Sequence, residues 1–325
     1  MFQYVVRRLI ISIPIFLIAS VLVFAVVRET ASPLTALRTN PRVRAEDLQR
    51  YKEQVGLDKS GPEQYRIWLG DFVTGDWGKS LITKRPVWPE IRTALANTLV
   101  LGGVAVVFSV IVGVAIGLFS AVRQYSLLDH AFTGSAFVGL SIPNFWFALI
   151  LQIIFGIYLQ HWLGLDKGLL PVAGMFEPGS VGFDLVDRIR HLILPALVLS
   201  VQIMAVYSRY MRASMLDVLS SDYLRTARAK GLTERAVILR HGMRNALIPL
   251  TTQVAIDVGV LAGGLIITEQ IFQWPGMGKL FLDSFQRGDY VVVLPWTMVV
   301  VLFVIVFNLL ADVMYAVLDP RIRYA

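Results

Sequence analysis

The chain has 325 residues, of which 56% are hydrophobic and 16% charged, and it contains no cysteine. That mix lies outside the range of soluble globular domains, and the missing cysteine excludes disulfides, thiolate catalysis and Cys-ligated metal. A formal net charge of +7 would suit a nucleic-acid binder, but the cations sit between apolar blocks and are not interleaved with base-stacking aromatics, so no nucleic-acid partner is expected.

The first apolar element, residues 9–27, carries no charge and is long enough, at about 1.5 Å per residue, to cross a hydrocarbon layer. Its Arg7-Arg8 flank resembles a signal peptide, but the run is too long for a signal core and no small-residue cleavage site precedes Arg28. Residues 1–28 therefore read as an uncleaved anchor. Residues 29–96 are polar and read as a helical cap on the outer surface. Leu48, Tyr51 and Val55 share one helical face before Gly56, and Tyr65, Trp68, Leu69 and Phe72 share another after Pro62. The cap serves either packing on the membrane or docking of a partner. Gly78-Lys79-Ser80 within it ends like a phosphate loop, but the glycine needed five residues earlier is Val73. A nucleotide site in this chain is thereby excluded.

Residues 97–325 hold five further apolar runs, at 98–122, 131–160, 192–208, 249–268 and 291–315. The expected fold is all-α, with six transmembrane helices and both termini on one side. Lys and Arg place that side in the cytoplasm. Arg7, Arg8, Arg123, the eight cations from Arg209 to Arg244, Arg321 and Arg323 face Lys167, Arg188, Arg190, Lys279 and Arg287 in the short loops opposite. The basic segment 29–96 escapes that rule because of its length.

Within the spans, Asp257 is a carboxylate between Ile256 and Val258, where charge normally faces a cavity or a partner. It either lines a path or makes a helix–helix hydrogen bond. Gly113 and Gly117, and Gly259 and Gly263, have the four-residue spacing that lets helices approach closely, and Gly264 adds another small residue for packing or a pore wall. Pro143 removes a backbone donor from the third span and bends it. Asp312 should snorkel or pair with an arginine. His130, His161, His191 and His241 lack metal-ligand spacing, and no serine stands in a nucleophile elbow, so neither a metal nor a catalytic site is expected.

The basic loop 209–248 carries the clearest signal. Ser220, Ser221 and Asp222 offer N-caps, residues 223–230 form a short helix, and Gly231 ends it. Tyr223 and Ala227 share one side, with Arg225 and Arg228 pointing elsewhere. Such a helix fits a groove on a protein partner or lies on anionic headgroups, and periodicity does not separate the two.

Here the residues also match a known pattern. Asp222-Tyr223-Leu224-Arg225-Thr226-Ala227-Arg228-Ala229-Lys230-Gly231, Arg240-His241 and Arg244-Asn245-Ala246-Leu247-Ile248-Pro249 resemble the inner-membrane permeases of ABC importers in the oligopeptide, dipeptide and nickel branch. Gly75-Asp76, Ser141-Ile142-Pro143, His191-Leu192-Ile193-Leu194-Pro195-Ala196, Trp274-Pro275-Gly276-Met277-Gly278 and Leu318-Asp319-Pro320-Arg321 extend the likeness nearly end to end, and the long segment after the first span is similar to the B-type subunit.

The resemblance implies a type I importer fold in a prokaryotic plasma membrane, carrying oligopeptides or dipeptides, with nickel or another small solute as the alternative. It implies a second permease, two cytoplasmic ATPase subunits holding ATP and Mg, an extracytoplasmic binding protein, and no cofactor in this chain. It makes Asp222, Tyr223, Arg225, Thr226, Ala227, Arg228, Ala229, Lys230 and Gly231 a coupling helix seated on an ATPase. Three departures stand out: Arg-Thr-Ala at residues 225–227 where importers of other branches have Glu-Ala-Ala, a usual change in this branch, Gly242-Met243 in place of the commoner Ala-Leu, and Ala96-Asn97 where a proline often precedes the second span. A secondary transporter, the competing class, would need inverted repeats and midplane ion ligands, and Asp257 alone meets neither demand.

Overall fold

The structure is a computed structural model that describes residues 2–30, 58–165, 168–180, 182–261 and 263–318. The helical face expected from Leu48, Tyr51 and Val55, together with Lys167, Arg321 and Arg323, lies outside the described residues. Helices dominate: α1 (Phe2–Thr30), α2 (Gly61–Thr74), α3 (Val87–Val122), α4 (Leu127–Ser141) and α5 (Asn144–Ile153) come first. A π turn, Ile154–Tyr158, continues α5 into a last α turn, Leu159–Leu163. Then follow α6 (Leu185–Leu219), α7 (Asp222–Ala229) and a composite α8 built from Glu234–Ala236, a π turn Val237–Gly242 and Met243–Ala246. The chain closes with α9 (Ile248–Leu261), α10 (Ile266–Ile271), α11 (Met277–Gln286) and α12 (Tyr290–Leu318).

Among the described residues, five stretches are long and apolar enough to cross a membrane: Val6–Glu29, Val87–Val122, Asn144–Leu163, Leu185–Leu219 and Tyr290–Val313. The apolar run at 131–160 divides between α4 and α5, because Ile142, the residue before Pro143, adopts an extended conformation with ψ 122°. The run at 249–268 is also not one helix. Its first part, α9, has only 14 residues. Gly264 then takes a left-handed φ of +82°, and a Cβ there would strike the backbone of Gly278 at the start of α11. The turn exists so that α11 can cross at this point.

Helices α3 and α6 form the central pair and run parallel. A Cβ on Gly117 would lie 2.7 Å from Met211 Cβ and 3.0 Å from the Arg212 nitrogen, so the two backbones touch only because this position has no side chain. Farther along, the buried Ser109 hydroxyl donates to Ser200 O at 3.2 Å, and Ser200 donates back to Ala105 O at 3.3 Å. Helix α12 packs antiparallel on both α1 and α9. Ring contacts of Tyr65, Trp68 and Phe72 with Phe16 and Phe24 of α1, at centroid separations of 5.5 to 6.3 Å, occupy the apolar face of α2. Tyr65 also shares a 2.7 Å hydrogen bond with the buried Ser20.

Two buried carboxylates tie the connecting segments at one end of the bundle. Asp289, just before α12, accepts from Ser80 Oγ at 2.5 Å and from the Leu81 nitrogen at 3.2 Å, so Ser80 of the Gly-Lys-Ser tripeptide is held by a carboxylate. Glu269 is fully buried and accepts from Thr98 Oγ1 at 2.7 Å and from the Lys279 nitrogen at 3.0 Å. Thr98 in turn accepts from the Met277 nitrogen at 2.7 Å, so α3 and α10 together satisfy the first turn of α11. Asn97 donates to Pro275 O at 2.9 Å and accepts from the Trp274 indole at 3.0 Å.

Replacing Thr98 with valine keeps its shape but removes one donor from the Glu269 carboxylate and strands the Met277 amide of α11. The expected cost is about 1–3 kcal/mol for the buried amide left unpaired. It is read as a lower unfolding midpoint in detergent, and an unchanged midpoint contradicts this network.

Candidate functional site

Helix α7 follows α6 after only Ser220 and Ser221. Ser221 takes the extended N-cap conformation, with φ −73° and ψ 147°, but its hydroxyl donates back to Val218 O at 2.6 Å and leaves the cap to the backbone. Asp222 in the first turn complements the helix dipole. The other end is a Schellman motif: the Gly231 nitrogen donates to Arg228 O at 2.9 Å and the Leu232 nitrogen to Ala227 O at 3.4 Å. This closure needs the φ of +78° that Gly231 adopts, although the space around its Cα is open.

The two faces of α7 differ from the sequence expectation in one respect. Leu224 and Ala227 turn inward and pack with Val237 of α8 beside Val218 and Leu219 of α6. Ala227 is therefore buried within the chain and does not share the outward side with Tyr223. The reason is that Leu224, three residues earlier, has to cover the end of α6, and Ala227 lies on the same stripe. Asp222, Tyr223, Arg225, Thr226, Ala229, Lys230 and Gly231 are exposed, and Leu232 and Leu239 are exposed beside them. Arg228 turns to α8, where its guanidinium grips Glu234 with two hydrogen bonds of 3.1 and 2.9 Å. That contact holds the Glu234 carboxyl below its ordinary range, so both groups are charged at neutral pH. Gly242, in the π turn of α8, leaves room for the tip of Met215 on α6.

Above α7, Arg212 of α6 forms a fork with Asp129 at the start of α4, with Nε to Oδ1 and Nη2 to Oδ2 both 2.9 Å. Asp129 is 2% exposed, and hydrogen bonding from Arg212 holds its carboxyl far below the usual carboxylate range despite burial. The same carboxylate accepts from the Tyr125 nitrogen at 2.9 Å, fixing a turn in which Tyr125 has φ +64°.

Asp257 is half-buried within α9. It accepts from the hydroxyl of the fully buried Tyr207 at 2.8 Å and from Gln253 Nε2 at 2.9 Å, which is a helix–helix hydrogen bond between α6 and α9. Gly259 lies against Phe307 and Gly263 against Val300, both on α12, while Gly264 makes the turn after α9 and Pro143 precedes α5. Asp312 pairs with Arg8 of α1 at 3.1 Å.

Sequence spacing missed three groupings. The partners Asp129 and Arg212, and Thr98 and Glu269, are far apart in the chain and follow no motif. Glu177, Asp187 and His191 bring three ligand-type atoms within 4.8 Å of one another. The Asp187 and His191 part of it has the i, i+4 spacing that could have been seen, whereas Glu177 arrives from the preceding loop. His191 is buried, with Nδ1 2.9 Å from Asp187 O, and the Asp187 carboxylate accepts from the Glu177 nitrogen at 2.9 Å.

Comparison with known proteins bears on the whole chain. The family described as binding-protein-dependent transport system inner membrane component matches residues 113–324, and its N-terminal companion matches residues 1–102. The oligopeptide transport system permease protein AppB of Bacillus subtilis (strain 168) is 42% identical over 325 residues, covering 100% of both chains. The dipeptide transport system permease protein DppB of Escherichia coli (strain K12) is 37% identical over 345 residues, covering 100% of this chain and 99% of the relative. Among solved structures, the MetNI methionine ABC transporter in an inward-facing form has a TM-score of 0.53 at 15% identity, over 72% of this chain and 98% of that one. Matches that run from end to end, over a bundle of apolar helices with an outward polar α7, identify the chain as a member of the multi-pass inner-membrane permease components of binding-protein-dependent ABC importers.

Proposed function

We propose that the chain forms one half of a peptide translocation pathway and that α7 is its coupling helix, seated in a cleft of a cytoplasmic ATPase. The observation that carries the second part is the two-faced packing of α7. Its inward face is fixed to α6 and α8 by Leu224 and Ala227, so it cannot slide independently, while Tyr223, Arg225, Thr226 and Lys230 are left outward for a partner. On this reading both termini and α7 lie in the cytoplasm, as the distribution of Lys and Arg favours. Peptides are the favoured cargo because the end-to-end relatives named above are an oligopeptide and a dipeptide permease, and a di/tripeptide permease of Pseudomonas aeruginosa (strain UCBPP-PA14) is 38% identical over 341 residues.

The mechanism is alternating access. Two ATPase subunits, holding ATP and Mg, close on each other and displace α7, and a second permease completes the pore whose opening changes sides. A loaded binding protein on the outer face biases the same equilibrium. The specificity for one peptide over another rests with that binding protein, and this chain performs no hydrolysis of its own.

Purification in mild detergent should bring ATPase subunits with the chain, and recovery of the chain alone contradicts the assembly. Gly231→Val forces a β-branched side chain into a left-handed conformation that disfavours it by about 1–2 kcal/mol. The Schellman closure should fray, and labelled-dipeptide uptake per ATP hydrolysed should fall at least about fivefold, the lower end of ordinary coupling effects. Normal uptake per ATP in this variant counts against the coupling role.

A further inference from the structure

Helix α6 is a single helix from Leu185 to Leu219, and α7 hangs from its end by two residues, so any displacement of α7 is delivered to the last turns of α6. Two polar contacts staple those turns and the middle of α6 to α4. Near α7, Arg212 grips the buried Asp129 through paired 2.9 Å hydrogen bonds. At the other end of α4, Gln202 Nε2 donates at 2.9 Å to Ile142 O, the carbonyl that precedes Pro143 at the break into α5. Between them the helices meet through Gly139 against Val201 and Arg209 over the Phe137 ring at 5.3 Å. Contacts of this kind, van der Waals and cation–π, are weakly directional and allow sliding. A bidentate guanidinium–carboxylate fork does not, because sliding one helix past the other strains both of its hydrogen bonds at once.

The fork also reaches the turn that follows α3. Asp129 accepts from the Tyr125 nitrogen and, at 3.4 Å, faces the Thr133 hydroxyl, so one carboxylate fixes the α3–α4 turn, the first turn of α4 and the inner part of α6. A buried ion pair adds little net stability over an apolar pair of similar size, and its best-attested use is to fix register. We propose that the Asp129–Arg212 fork is a positioning pair of the transport cycle, locking α3, α4 and α6 into one lever so that displacement of α7 reaches the helix break at Pro143. This rests on the reading of α7 as the coupling helix.

The test uses the whole transporter, with its ATPase, second permease and binding protein, reconstituted in vesicles. Arg212→Lys keeps the charge pair but loses the fork. Asp129→Leu combined with Arg212→Met removes both charges without stranding either, and so keeps assembly separate from coupling. In both, ATP hydrolysis stimulated by the binding protein should stay within about twofold of the unaltered transporter, while dipeptide uptake per ATP falls at least about fivefold. Hydrolysis and uptake falling in parallel would make the fork merely structural and overturn the proposal. Uptake per ATP that stays normal in both fork variants while Gly231→Val uncouples overturns this inference alone. Uptake per ATP that stays normal in all three overturns the coupling role of α7 as well.

Discussion

A carboxylate among apolar helices has to be met by donors, and this demand organises the chain. Four of them sit at successive depths: Asp289 before α12, Glu269 in α10, Asp257 in α9 and Asp129 at the start of α4. Each is satisfied by groups from other elements or from its own turn, and all four bind segments that are distant in sequence. Helices in lipid lack a hydrophobic driving force toward one another, so packing of small residues and polar contacts of this sort decide which surfaces meet. Gly117 lets α3 and α6 touch, and the Ser109 and Ser200 hydroxyls set where along their length they do so.

The arrangement divides the labour between the two ends of the bundle. At the end where α3 and α12 begin, Glu269 and Asp289 hold short helices and turns against the spans. At the opposite end, Asp129 and Arg212 join α4, α6 and the turn that follows α3, just before the chain turns into α7, whose inward face is closed by Leu224, Ala227 and Val237. A permease that passes on a partner's motion needs this stiffness between the contact with its partner and the spans. The helical paths are interrupted at Pro143, between α4 and α5, and at Gly264, between α9 and α10.

Much of the fold was legible in the sequence because membrane spans announce themselves by uncharged length. The spans at α1, α3, α6 and α12 follow directly from runs such as 9–27 and 98–122, whereas the missing donor at Pro143 implies a bend in one span and the structure has two separate helices there. The division of 249–268 was not legible, since the cause lies in Gly278, a residue outside that apolar run which needs Gly264 to make room for it. Ala227 was assigned to the wrong side for a related reason. An eight-residue helix offers two short stripes, and which one turns inward depends on the packing of Leu224 on Val237. The Glu234 partner of Arg228 and the Asp129 partner of Arg212 were missed because no spacing rule links residues brought together by a turn or by tertiary contact.

The central claim is that the exposed face of α7 lies inside the cell and against an ATPase. Because the chain contains no cysteine, Thr226→Cys gives a single reporter on that face. A membrane-impermeant maleimide should leave it unlabelled in intact cells and label it after permeabilisation, less so when the ATPase subunits are present. Labelling in intact cells would place α7 outside and contradict the account.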